Sequence, residues 1–296
     1  MTKRHRPIKH SNRLCVFQSF DDGLLQQMQR YDKYGSGEEI IERLGNVARL
    51  FPTLNADMIF NFPSQTSKIL GQDVQKVIDS GVNQATYYAL MTSPSVAKSM
   101  KDTVGKVDYK REAEYYQILS EGLAKAFDPV SAWCFSRRGG DMLDEYIVDY
   151  EEYVGVGSGS FSHLDGTLYV NTFSLKEYEE RIKSGRMAVT QMRRFDLHQQ
   201  MRYRFMMELF GLKLGKQRFA DSFGKSVERG LWLEMSFMKL VGVFDRNNKH
   251  ELTLSPKGRY LLVVMMREFF ANLNDVRDQA RDVLTPQELA KLYNSI

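Results

Sequence analysis

The sequence predicts an α/β chain: an incomplete (β/α) partial barrel followed by an α+β accessory region with a winged-helix-like C-terminal domain. Three observations carry this expectation. Short apolar, β-prone runs at Leu14–Phe20, Leu54–Phe62 and Ala85–Leu90 alternate with helical segments, the pattern of parallel βαβ units. Three such units are too few to close an eight-stranded barrel, and Leu14–Phe20 would stand as a bare apolar edge, so earlier strands are expected to be missing. From Phe195 onward short helices precede a hairpin, which is the winged-helix order. The expected organisation is a basic tail over 1–13, barrel strands and helices with their extension over 14–194, and a helical, winged-helix-like domain over 195–296.

The elements follow in order. An amphipathic helix is expected around Gly23–Arg30 after the first strand. Glu38–Leu50 sets Ile40, Ile41, Leu44, Val47 and Ala48 at helical spacing with charges opposite. The second strand is closed by Pro63, and Thr66 is a fitting N-cap for a helix running to about Asp79. Tyr109–Ala126 places Tyr116, Leu119, Leu123 and Ala126 on one helical face. Ser131–Phe135 and the Gly-rich Tyr153–Gly166 predict strands with tight turns. Helices are then expected over Leu197–Leu214, Gln217–Phe223 and Val227–Val241. A hairpin over Phe244–Leu254 turns at Asn247–Asn248, and helices over Pro256–Phe270 and after Thr285 close the chain.

Composition is that of a globular protein: 296 residues, 43% hydrophobic and 26% charged. A net charge of +4 would point to nucleic acid if it were distributed. Five of the 41 basic residues (Lys3, Arg4, Arg6, Lys9 and Arg13) lie before the first acidic residue, Asp21, and 37 acidic residues offset the others. The expected recognition helix, Val227–Val241, offers Arg229 and Lys239 against Glu228 and Glu234, too little to neutralise phosphates, so no nucleic-acid partner is expected. No apolar run is long enough to span a membrane, and the basic start lacks the apolar stretch of a secretory signal. Two cysteines, Cys15 and Cys134, fit a reducing, cytoplasmic setting and cannot by themselves build a Cys₄ zinc site or an iron–sulfur cluster.

Three polar residues sit where a barrel keeps its chemistry, at or near the carboxyl ends of strands. Gln18 ends the first strand, Arg30 lies one helix later and Asp57 lies in the second strand. An amide, a guanidinium and a carboxylate suit a ligand with hydroxyl, carboxylate and ammonium groups. The alternative is that Gln18 and Arg30 are surface residues and Asp57 a structural partner. The turn from Asn61 to Thr66 could bind a ligand through its backbone or simply connect strand to helix. Gly155, Gly157 and Gly159 lack the following helix of a dinucleotide fingerprint and instead allow close backbone approach to a ligand or a neighbouring strand. His163 is the one histidine with a functional reading, set against that of a packed structural residue. The Met- and aromatic-rich runs Tyr203–Phe210 and Leu261–Phe270 fit buried helices.

Several of these segments together resemble a known family. QSF at Gln18–Phe20, Arg30, NADMIFNFPSQT at Asn55–Thr66, YYALM at Tyr87–Met91 and GVGSGSFS at Gly155–Ser162 are similar to the radical S-adenosylmethionine family of oxygen-independent coproporphyrinogen III oxidases. DEYI at Asp144–Ile147, YVNTFSLKEY at Tyr169–Tyr178 and the late LTLSPKGRYL extend the likeness from about Arg13 to near the end. YRFMM, VVMMREFFANLNDVRDQAR and SFSHLDG resemble the haem-utilisation branch.

The resemblance implies a partial (β/α) barrel of which this chain supplies the later strands. It implies S-adenosylmethionine bound by Gln18, Arg30 and Asp57 and by backbone at Ala89 and Phe161, and a tetrapyrrole substrate. Family members cleave S-adenosylmethionine with a [4Fe–4S] cluster held by CxxxCxxC, and nothing here corresponds to that motif. The expectation is therefore an oxidoreductase-family chain, N-terminally truncated and inactive alone. The alternative is a non-catalytic subunit or binding module that complements a separate cluster-bearing chain.

Overall fold

The computed structural model describes residues 13–91, 101–102, 105–138 and 152–281. The chain divides into two compact units: residues 1–92 with 96–145, and residues 93–95 with 146–296. Residue 195, where the sequence reading begins the C-terminal domain, lies within the second unit. The basic tail before Arg13, the DEYI segment and the helix expected after Thr285 lie outside the described residues.

The first unit is built on an open five-stranded sheet ordered β1-β2-β3-β5-β4, with β1 Arg13–Gln18, β2 Leu54–Phe60, β3 Gln84–Ala89, β4 Phe127–Pro129 and β5 Cys134–Arg137. The first three strands are parallel, as alternation with helices requires. The sheet then turns antiparallel: β5 pairs with β3, and β4 with β5. A hairpin at that edge needs no crossover helix, and β4 carries no alternation that would announce it. At the other edge, β1 pairs with β2.

The expected helix around Gly23–Arg30 is two short ones, α1 Asp22–Gln27 and α2 Tyr31–Tyr34. The break falls at Gln29, whose φ of 56° is left-handed and cannot continue a helix. Helix α3, Gly37–Val47, starts with a capping box between Ser36 and Glu39 and buries Ile40 and Leu44. Helix α4, Ser67–Asp79, is capped by the Thr66 side chain as expected. Helix α5, Glu112–Leu123, buries Tyr116, Leu119 and Leu123. Phe60 meets the Tyr116 ring at 6.3 Å, so Leu54, Ala56, Met58 and Phe60 face the helices. By strand alternation Asn55 and Asp57 lie on the opposite face.

The second unit carries two antiparallel sheets. In one, ordered β6-β7-β8, the strands are β6 Phe161–Leu164, β7 Thr167–Asn171 and β8 Val189–Arg194, with helix α6 Leu175–Lys183 between β7 and β8 in sequence. In the other, ordered β10-β11-β9, the sequence runs α7 Leu197–Phe210, β9 Lys213–Gly215, α8 Lys216–Phe223, α9 Val227–Gly230, α10 Trp232–Leu240, β10 Phe244–Asn247 and β11 Glu251–Leu254. Helix, strand, three helical segments and a hairpin give the winged-helix order. Helix α7 stops at Gly211 rather than Leu214, because Leu212 takes φ 71° and leads into β9. The single helix expected over Val227–Val241 is broken at Leu231 (φ −129°, ψ 47°). The hairpin turn is held by Asn248, whose Oδ1 accepts from the amides of His250 and Glu251. Helix α11, Pro256–Arg281, runs past the expected end at Phe270. Tyr203–Phe210 and Leu261–Phe270 bury Phe205, Leu209, Phe210, Leu262, Val263 and Met266, as core helices do.

Candidate functional site

Two of the expected residues, Gln18 and Ala89, end β1 and β3, and Asp57 lies midway along β2 between those strands. Strand β1 carries a bulge: Val16 pairs with Asp57, then Gln18 pairs with Met58, so Phe17 is the extra residue. Gln18 then adopts φ 75°, and Asn61, just past β2, adopts φ 72°. Left-handed backbone at two non-glycine residues on neighbouring strand ends is the kind of strain that collects where a ligand is held. Ala89 pairs with Phe60, three residues beyond Asp57, and Asp57 itself pairs with Thr86.

Asp57 is buried, at 7% exposure. Its Oδ1 accepts from Asn55 Nδ2 at 2.9 Å. The Thr86 hydroxyl in turn donates to Asn55 Oδ1 at 3.2 Å and stands 3.8 Å from Cys134 Sγ. This polar row crosses β2, β3 and β5 on the face away from the helices. A carboxylate removed from water but already given hydrogen bonds stays a strong acceptor for ligand hydroxyls.

Arg30 and Phe161 are placed differently. Arg30 is the N-cap of α2, half-buried, with its guanidinium 5.9 Å from the Tyr34 ring centroid. Phe161 opens β6 in the second unit.

The turn from Asn61 to Thr66 is a tightly held connector. Arg111, preceding α5, donates to Asn61 Oδ1 (3.0 Å), Gln65 O (3.2 Å), Pro63 O (3.1 Å) and Phe62 O. Its guanidinium also lies 5.0 Å from the Tyr115 ring centroid, and the Tyr115 hydroxyl donates to Gln65 O. The Asn61 amide donates to Gln65 Oε1 at 2.8 Å. These backbone groups are spent inside the protein rather than on a ligand.

Sequence reasoning missed Asp73. It lies on α4 at 2% exposure and accepts from Ser19 Oγ (2.7 Å) and from the Phe20 amide (2.8 Å). Burial pushes its carboxyl up to about 6, partly offset by those two bonds and by Lys76. One signal was available: Leu70, Asp73, Val74 and Val77 share the i, i+3, i+4, i+7 face, so a carboxylate stands on the buried stripe of an amphipathic helix.

In the second unit the glycines serve the neighbouring strand. A Cβ on Gly155 would overlap the Phe161 carbonyl, and Gly159 (φ 67°) has the Phe173 ring 2.7 Å from where its Cβ would be. His163 is packed among Tyr203, Phe195 and Tyr153, with ring centroids at 4.7, 5.8 and 6.3 Å. Burial lowers its pKa, with Glu152 opposing, so the imidazole is neutral at neutral pH. This is the packed, structural alternative for His163.

The thiols do not suit a four-iron cluster. Cys15 lies on β1, and buried Cys134 lies on β5, with two strands between them and its sulfur against the Thr86 hydroxyl. Among the described residues no group of three His, Cys, Asp or Glu side chains is placed to hold a metal ion. Among those residues, too, no helix is long and apolar enough to cross a membrane.

No protein-family model matches the chain. A curated relative, the heme chaperone HemW of Lactococcus lactis subsp. lactis (strain IL1403), is 24% identical over 173 residues, covering 56% of this chain and 45% of its own length. Among solved structures, the coproporphyrinogen III oxidase (HemN) from Escherichia coli, a radical SAM enzyme, matches with a TM-score of 0.65 at 14% identity, over 87% of this chain and 64% of that one. The chain thus spans about half the length of the chaperone and under two thirds of the oxidase. The chain is thus similar in sequence to part of a heme chaperone and in fold to part of a radical SAM coproporphyrinogen III oxidase.

Proposed function

We propose that the first unit binds S-adenosylmethionine at the carboxyl ends of β1–β3, within a coproporphyrinogen oxidase-like protein that handles a tetrapyrrole. Asp57 would accept the ribose hydroxyls, Gln18 would meet the polar end of the ligand, and the Arg30 guanidinium would take the methionyl carboxylate. Backbone at Ala89, which ends β3, would complete the cradle. The observation that carries this reading is the buried Asp57 carboxylate beside left-handed Gln18 on adjacent parallel strands. Bound S-adenosylmethionine supplies an activated sulfonium that a reduced four-iron cluster can cleave. That cluster does not fit the two thiols present, and these residues serve binding alone. Its ligands would come from polypeptide other than these 296 residues.

Calorimetric titration with S-adenosylhomocysteine tests the site. Asp57→Asn and Gln18→Ala should each weaken binding by about tenfold, the worth of one buried, charge-assisted or strained contact. Affinity indifferent to both changes refutes the assignment.

The edge position of β1 favours a second reading, in which the chain is a binding module that adds its sheet to a separate cluster-bearing chain. Co-purification with a small CxxxCxxC protein supports it. A monomer unaltered by such a protein refutes it.

A further inference from the structure

We propose that Asp73 is a positioning residue for the adenosyl site: reaching from α4 to the turn after β1, its carboxylate fixes the backbone that presents Gln18 in its left-handed conformation. The inference rests on the reading of the β1–β3 ends as the ligand site.

Four contacts lock the residues that follow Gln18. Asp73 accepts from the Ser19 hydroxyl at 2.7 Å and from the Phe20 amide at 2.8 Å. The Ser19 hydroxyl oxygen accepts from the Asp21 amide at 3.1 Å. Lys76, one turn further along α4, donates to the Phe20 carbonyl at 3.2 Å. The same carbonyl lies where a Cβ on Gly37 would stand. Both backbone groups of Phe20 are therefore held by one acid and one base on a single helix. A glutamine at φ 75° persists only where its surroundings over-determine it, and this pair does so.

A carboxylate is a poor choice for this position if stability alone is at stake. It shares the buried stripe of α4 with Leu70, Val74 and Val77, and burial disfavours its charge. The groups facing it are Lys76 on its own helix, Asp21 on the turn and Tyr87 on β3, and Asp22 and Glu38 line the pocket that Lys76 borders. At neutral pH Asp73 is ionised and a full acceptor for both donors. In mild acid it takes up a proton and gives up part of that capacity.

Stability and ligand affinity should therefore move apart when the charge is removed. Wild type, Asp73→Asn, Gln18→Ala and the double variant are titrated with S-adenosylhomocysteine at pH 8 and pH 5.5, and each is melted in parallel. Asp73→Asn should bind roughly five- to tenfold more weakly at pH 8 with an unchanged or higher Tm. Wild type should weaken by a similar factor between pH 8 and pH 5.5, and Asp73→Asn should not. The double variant should bind no more weakly than Gln18→Ala, because Asp73 acts through Gln18. Wild-type affinity in Asp73→Asn at pH 8, a joint fall of affinity and Tm at pH 8, or additive losses in the double variant would each overturn the positioning role and leave the site standing. Wild type that fails to bind at pH 8 overturns both.

Discussion

Replacing Arg111 by alanine tests whether the turn after β2 is a built connector. The guanidinium reaches four acceptors, Asn61 Oδ1 and the carbonyls of Phe62, Pro63 and Gln65, and lies over Tyr115. Arg111 is half-buried, so water can repair part of the loss. The Tyr115 hydroxyl also keeps its bond to Gln65 O. Counting about 1 kcal/mol for each of two or three acceptors left in poor contact with water, and about 0.5–1 kcal/mol for the ring contact, gives about 2.5–4 kcal/mol. For a unit of this size, 1 kcal/mol is about 2–4 °C, so Arg111→Ala should lower Tm by about 6–15 °C. Arg111→Lys keeps the charge but cannot fork to several carbonyls and should lose roughly half as much. The assay is thermal melting followed by far-ultraviolet circular dichroism. A Tm for Arg111→Ala within about 2 °C of wild type would refute the reasoning.

Three further outcomes follow from the same geometry. Gly37→Ala forces a methyl into the Phe20 carbonyl and should destabilise by about 2–4 kcal/mol in urea unfolding, whereas Gly45→Ala, which has open space, should be neutral or stabilising. Asp73 has a folded-state pKa of about 6 against an ordinary 3.8, so the folded protein holds the extra proton. Its contribution to stability is present below about pH 4 and lost as pH rises through about 6, and the difference between wild type and Asp73→Asn should change by on the order of 3 kcal/mol across that window. Gly155→Ala should lower the melting temperature through its clash with the Phe161 carbonyl, an effect that Gly157→Ala (φ 106°, open space) matches only through backbone strain.

The parts of the fold that read clearly were those where sequence and burial share a period. Strand β2 is buried on both faces, as an apolar run in a parallel sheet must be, and Thr66 caps α4 because its hydroxyl has one local job to do. Strand β8 gave no such signal, since five of its six residues are exposed and no alternation marks an inner face. The break between α1 and α2 rests on a left-handed glutamine, which carries none of the turn chemistry of Gly or Asn. At the site, Gln18 and Ala89 end their strands, and Asp57 stands three residues short of the end of β2. The Asp73 contacts to Ser19 and Phe20 span more than fifty positions of chain, and only the fold brings them together. The turn from Asn61 to Thr66 looked open to a ligand because Arg111, which fills it, is equally remote in sequence.

Hydrogen–deuterium exchange with and without S-adenosylhomocysteine reads the central claim at the residues that carry it. Amides at 16–20, 56–61 and 87–90 should slow on addition of the ligand, while those of the β9–β11 sheet should not change. Unaltered exchange at all three strand ends, under conditions where calorimetry shows the ligand bound, would contradict the claim that the β1–β3 edge is the adenosyl site.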